Sequence, residues 1–147
     1  NLIFHTGTLE FKFPERNIIY ANDLSGYSIS SFNVRKEYDN KCLEKIRIFV
    51  SNYKKQIFKN RNTSLKSKSE ILDSIHYRVK DVESGFLIFD FDIEKNSTKT
   101  SYDEDGHYFD FDFEILPNGR TYKFEFMINM NGQIKIIEDE VAFRIVW

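Results

Sequence analysis

The chain has 147 residues, enough for one domain burying roughly 68–70% of its unfolded surface and too few for two full domains. Its 24 aromatic residues (15 Phe, 8 Tyr and 1 Trp), beside only 6 Gly and 2 Pro, exclude a collagenous, Pro-rich or low-complexity chain. The net charge is -2, and no apolar run nears the roughly 20 residues of a membrane helix, so the composition reads as a soluble domain with no bias toward nucleic acid.

Residues 1–40 read as an N-terminal extended segment packed on or beside a β-sandwich formed by residues 41–147. Within that segment Leu9, Phe11 and Phe13 alternate in a strand ended by Pro14, and a weaker strand surrounds Tyr27 and Ile29. Ile46, Ile48 and Val50 then alternate with Arg47 and Phe49. Residues 51–70, rich in Asn, Ser, Thr and Lys, read as a long basic loop, and loops beyond about 12–15 residues are usually functional or disordered. Five strands follow, marked by Ile75, Tyr77 and Val79; by Leu87, Phe89 and Phe91; by Phe109, Phe111 and Phe113; by Tyr122, Phe124, Phe126 and Ile128; and by Val141, Phe143, Ile145 and Trp147. Period two dominates and period 3.6 is nearly absent, so the chain is expected to be all-β, with antiparallel sheets that bury one face and wet the other.

Asn1 to His5 have neither a basic region nor an adequate apolar stretch, so no signal-peptide pattern opens the chain. The start without Met and the end inside an apolar alternation point to a processed or excised segment. The single Cys42 excludes an intrachain disulfide and a cysteine zinc cage, and reads as an inert small apolar residue.

Leu116-Pro117-Asn118-Gly119-Arg120-Thr121-Tyr122 leads directly into a strand. Pro117 presets a turn, Gly119 tolerates positive φ, and the Tyr122 hydroxyl can satisfy main chain left unpaired where the chain changes sheets. This stretch resembles the tyrosine corner of immunoglobulin-like and fibronectin type III sandwiches, with Leu116, Pro117, Gly119 and Tyr122 as its structural residues. The resemblance implies an antiparallel immunoglobulin-like β-sandwich.

Charge is unevenly spread along the chain. From Lys41 to Lys68 nine basic residues face one acid, Glu44, whereas from Asp81 to Glu114 eleven acids face Lys95 and Lys99. A hairpin around Gly85 that puts Val79 opposite Phe89 and Tyr77 opposite Phe91 also puts Arg78 opposite Asp90 and His76 opposite Asp92. In the immunoglobulin-like order the second strand pairs with the fifth, bringing Lys45 and Arg47 near Asp110 and Asp112.

Asp90, Asp92, Asp110 and Asp112 could form a carboxylate pair for acid–base work, but strand alternation already explains them as outward positions. Cys42, His5, His76 and His107 lie in unrelated contexts, so no nucleophile–base arrangement is evident and no catalytic residue or cofactor motif is assigned. Ser101 to Gly106 resembles half a calcium loop, with Asp103, Asp105 and Asp112 as weak ligand candidates; Ser at the first position, Asp at the twelfth and strand flanks favour a plain acidic turn, with His107 on the surface. Lys54, Lys55, Lys59 and Arg61, interleaved with Tyr53 and Phe58, could contact phosphates, but with no recognisable nucleic-acid fold they read better as a solvated loop or a docking segment for an acidic face.

Tyr77-Arg78-Val79-Lys80-Asp81, Phe89-Asp90-Phe91-Asp92, Asp103 to Phe111, Gly119-Arg120-Thr121-Tyr122 and Phe143-Arg144-Ile145-Val146 together resemble conserved structural proteins of tailed-bacteriophage particles over residues 75–147. The resemblance implies a non-enzymatic building block of the virion, in the neck, the tail or a capsid-associated position, whose partners are further copies or other virion proteins. The alternative is a glycan-binding or adhesive module, for which exposed Tyr53, Phe86, Tyr102 and Tyr108 would be the candidates.

Overall fold

The computed structural model describes residues 24–54 and 68–146. Within them the alternating stretches become nine strands: β1 (Tyr27–Ser31), β2 (Glu37–Tyr38), β3 (Leu43–Asn52), β4 (Ile75–Asp81), β5 (Leu87–Phe89), β6 (Ser101–Asp103), β7 (Gly106–Asp112), β8 (Thr121–Met130) and β9 (Gln133–Ile145). They form a four-stranded sheet ordered β1-β3-β7-β6 and a five-stranded sheet ordered β2-β9-β8-β4-β5. The protein is an all-β, two-sheet sandwich. The strand read around Tyr27 and Ile29 is β1, and the alternation at Leu9, Phe11 and Phe13 lies outside the described residues.

All strand pairs are antiparallel except β2–β9, which corrects the expectation of purely antiparallel sheets. The cause is a crossing: after β1 the chain passes over residues 32–36 from one sheet to the other and keeps its direction, so Glu37 and Tyr38 run parallel to Arg144 and Ile145.

Aromatic side chains on inward positions fill the space between the sheets. Tyr77 stacks on Phe109 with centroids 3.9 Å apart, and Tyr38 stacks on Phe113 at the same distance. Phe111 and Phe124 meet edge to face at 5.1 Å. Such pairs contribute about 0.5–1.5 kcal/mol each beyond area burial, and their edge-to-face geometry fixes how the sheets lie on each other. Ile46, Ile48, Ile75, Val79 and Ile145 fill the gaps and are fully buried.

The hairpin register holds at its start. Val79 faces Phe89, and Arg78 reaches Asp90 at 3.0 Å. Beyond Phe89 the ladder stops, so Phe91 does not face Tyr77 and Asp92 does not face His76. The aspartates end it by capturing local donors: Asp90 accepts from its neighbour Phe91 N (2.8 Å), and Asp92 accepts from Lys95 N (3.1 Å) and Ser97 Oγ. On the other sheet Lys45 faces Asp110 as expected, whereas Arg47 faces Tyr108 and Asp112 faces Leu43.

At the corner, Tyr122 Oη donates to Pro117 O at 2.7 Å, Gly119 has φ 79°, and Gly119 N donates to Ile145 O at 2.7 Å. Leu116 is buried beside them. Replacing Tyr122 with Phe removes one buried hydrogen bond at constant shape. The expected loss is about 1 kcal/mol, read as a lower urea midpoint at unchanged m-value.

Candidate functional site

The residues singled out by sequence are dispersed. Asp103 holds Arg47 through two bonds, at 3.0 and 2.8 Å, which lowers its pKa to about 2 and occupies both carboxylate oxygens. Asp112 lies at the far end of β7, about 20 Å along the strand at 3.3 Å per residue, and accepts from Glu114 N. Asp103, Asp105 and Asp112 therefore do not converge on a calcium ion, because strand geometry separates what a loop would have gathered. Among the described residues no group of three or more His, Cys, Asp and Glu is placed to hold a metal.

His107 is buried, not on the surface. It continues the inward row of Phe109 and Phe111, and its Nε2 accepts from Leu72 N at 2.9 Å while Nδ1 lies 2.9 Å from Thr100 Oγ1. An accepting Nε2 places the proton on Nδ1, so the neutral ring joins residues 68–74 to β7. Burial lowers its pKa to about 4. His76 is outward in the β4 alternation, yet residues 96–99 fold over it and it is also buried. Cys42 is half-buried at the core's margin.

Of the basic loop, Lys54 donates from Nζ to Ser25 Oγ at 2.6 Å, and Lys55, Lys59 and Arg61 lie outside the described residues. Exposed aromatics do not gather: Tyr53 follows β3, Phe86 lies at the opposite end before β5, and Tyr102 packs against the ring of His107 on β6. Tyr108 is covered by Lys45 and Arg47, whose charged groups lie 4.5 and 5.3 Å from its ring centre.

The arrangement that stands out is on β9, eight residues of which precede the expected start at Val141. Its polarity is inverted. Lys135 and Asp139 point inward toward β1, while Ile134 and Ile136 point outward at 55% and 48% exposure. The inward pair closes the open side of β1: Lys135 Nζ donates to Tyr27 O (2.8 Å) and Ser25 O (3.2 Å), and Asp139 accepts from Ser31 N (3.2 Å) and from the Ser31 hydroxyl. Phe124 faces three residues, Asp139 to Val141, so β9 bulges where Asp139 turns in. Burial raises the Asp139 pKa, opposed by bonds from Ser31 and from the amides of Val141 and Glu140.

The inverted pattern has two results. Ile134 and Ile136 gain no core burial. The outer edge of Gln133–Glu138 also has no strand beside it among the described residues, since β2 reaches only Arg144 and Ile145. Gln133, Ile134 and Lys135 line an open groove with Leu24 and Ser25. The stretch is hard to read from sequence because Ile134 and Ile136 sit out of phase with Val141, Phe143 and Ile145 while Ile137 is in phase; its signal is the Ile-Lys-Ile alternation at 134–136. The backbone edge here offers main-chain donors and acceptors flanked by the apolar side chains of Ile134 and Ile136, which suits non-covalent docking. No helix among the described residues is long and apolar enough to cross a membrane.

No protein-family model matches the chain, and neither a curated protein nor a solved structure matches it.

Two outcomes follow from the buried polar groups. Because the folded pKa of His107 lies below the unfolded value of 6.5, its contribution to stability is full above pH 6.5 and falls as pH drops toward 4, by at most about 1.4 kcal/mol per pH unit. Urea midpoints across that range should fall more steeply for wild type than for His107→Gln; parallel profiles would disprove a neutral buried ring. Asp139→Ala leaves the Ser31 donors and the bulge amides unpaired, and is expected to cost about 1–3 kcal/mol in the same assay.

Proposed function

We propose that this chain is a non-enzymatic assembly module acting through protein–protein contacts, a structural building block of a tailed-phage particle in the neck, the tail or a capsid-associated layer. One observation carries the assembly reading: β9 turns isoleucines to solvent beside a main-chain edge that has no partner strand among the described residues. Exposed edges of this kind are normally blunted or covered, and one that stays apolar is a template for a partner. The phage assignment rests on the sequence resemblance over residues 75–147. We also read the sandwich as immunoglobulin-like. The strand order, with β1, β3, β7 and β6 in one sheet and β4, β8 and β9 in the other, supports that reading, as does the Tyr122 corner. The scattered positions of Tyr53, Phe86 and Tyr102 weigh against a glycan platform.

Sedimentation velocity of the purified chain over a wide concentration range tests the proposal. Mass that rises with concentration is expected, and it should persist at high salt if apolar and main-chain contacts dominate over the basic loop. A chain that stays monomeric throughout while binding a glycan array would overturn it.

A further inference from the structure

The open edge of β9 and the strand-like segment at the chain's start are complementary. Among the described residues, the edge from Gln133 to Glu138 offers six residues of main chain without a neighbouring strand, with Ile134 and Ile136 exposed on the outer face. Thr8-Leu9-Glu10-Phe11-Lys12-Phe13 is also six residues long and alternates polar or charged side chains with apolar ones. Pro14, which has no amide to donate, sets its limit. The described chain begins at Leu24, which with Ser25 lines the groove beside Gln133 to Lys135. Residues 14–23 between them can span up to about 35 Å when extended, the breadth of a small domain.

We infer that β9 accepts an added β-strand along Gln133–Glu138, and that the strand is Thr8–Phe13 of a neighbouring copy. The inference rests on the assembly reading above and names its contact. Main-chain bonds to the free edge would supply affinity, and Leu9, Phe11 and Phe13 would supply apolar surface for Ile134 and Ile136. Each copy then holds one donor strand and one acceptor edge. Each such contact joins two different surfaces, so copies close into a pair by exchanging strands or run on as a larger ring or a filament.

The direction of donation gives a complementation test in the full-length chain. Phe11→Lys spoils the donor and leaves the edge intact. Ile136→Lys spoils the edge and leaves the donor intact, at a position half exposed, so the fold should survive; unchanged far-ultraviolet spectra and melting of each variant check this. Native mass spectrometry should show wild type assembling, each variant alone at least tenfold weaker, and an equimolar mixture forming one-to-one dimers that grow no further, because the second donor and second edge are both spoiled. Hydrogen exchange should show amides of residues 133–138 protected in the mixture and exposed in either variant alone. If wild type assembles and either variant assembles equally well, strand donation is wrong and the assembly reading stands. If residues 133–138 are protected in a wild type that remains monomeric at all concentrations, the segment folds back on its own chain and donation between copies is wrong. A monomeric wild type with those amides exposed removes both this inference and the assembly reading.

Discussion

An open sheet leaves main-chain donors and acceptors unpaired along its outer strands, and those lying next to a core must be satisfied at short range or cost about 1–3 kcal/mol each. Much of this fold's individuality follows from how it meets that constraint. On the β1 side, Lys135 and Asp139 reach across from the other sheet and bond to Tyr27 O and Ser31 N. At the corner after β7 a tyrosine hydroxyl does the equivalent work for Pro117 O. At the end of β9 a two-residue parallel strand supplies the partner. Between these devices the Gln133–Glu138 edge has no such partner among the described residues.

The same constraint accounts for the inverted polarity of β9. A lysine and an aspartate occupy inward positions that would ordinarily be apolar, and burying them is tolerable because each is hydrogen-bonded to β1. Alternation then forces their neighbours outward, so the isoleucines are exposed as a consequence of closing a different strand. Elsewhere, among the described residues, part of the charge is paired within the fold, and the Arg47–Asp103 bridge joins the basic stretch to the acidic one. Arg47 grips Asp103, Arg78 lies between Glu125 and Asp90, Arg120 meets Asp81, and Glu138 is shared by Lys80 and Lys123. Most of these pairs are partly exposed and fix register more than they stabilise.

Strands with a conventional inward face were legible from period two alone: β4, β7 and β8, and the Val79–Phe89 register with its Arg78–Asp90 pair. Extending the β7 row back by one step places His107 inside, a signal that the acidic turn before it obscures. Three features lie outside what alternation reports. The end of β5 depends on aspartates bonding nearby main-chain and hydroxyl donors instead of the ladder. His76 is buried by a distant segment and the Asp139 bulge exists because of β1, so these two are decided by partners far away in sequence.

The parallel pairing of β2 with β9 also sets an order in time. Glu37 and Tyr38 meet partners more than a hundred positions later in the chain, so this contact pays a large loop-closure entropy and must wait until β8 and β9 are in place. β1 pairs with β3 at short range, but its Ser31 and Tyr27 contacts to residues 139 and 135 wait for β9 as well. Until β9 docks, the β2 pairing and these β1 contacts are both unmade. Crowded copies at that stage compete for the rims with the chain's own strands, so protein concentration during folding acts on this fold through its edges before its core.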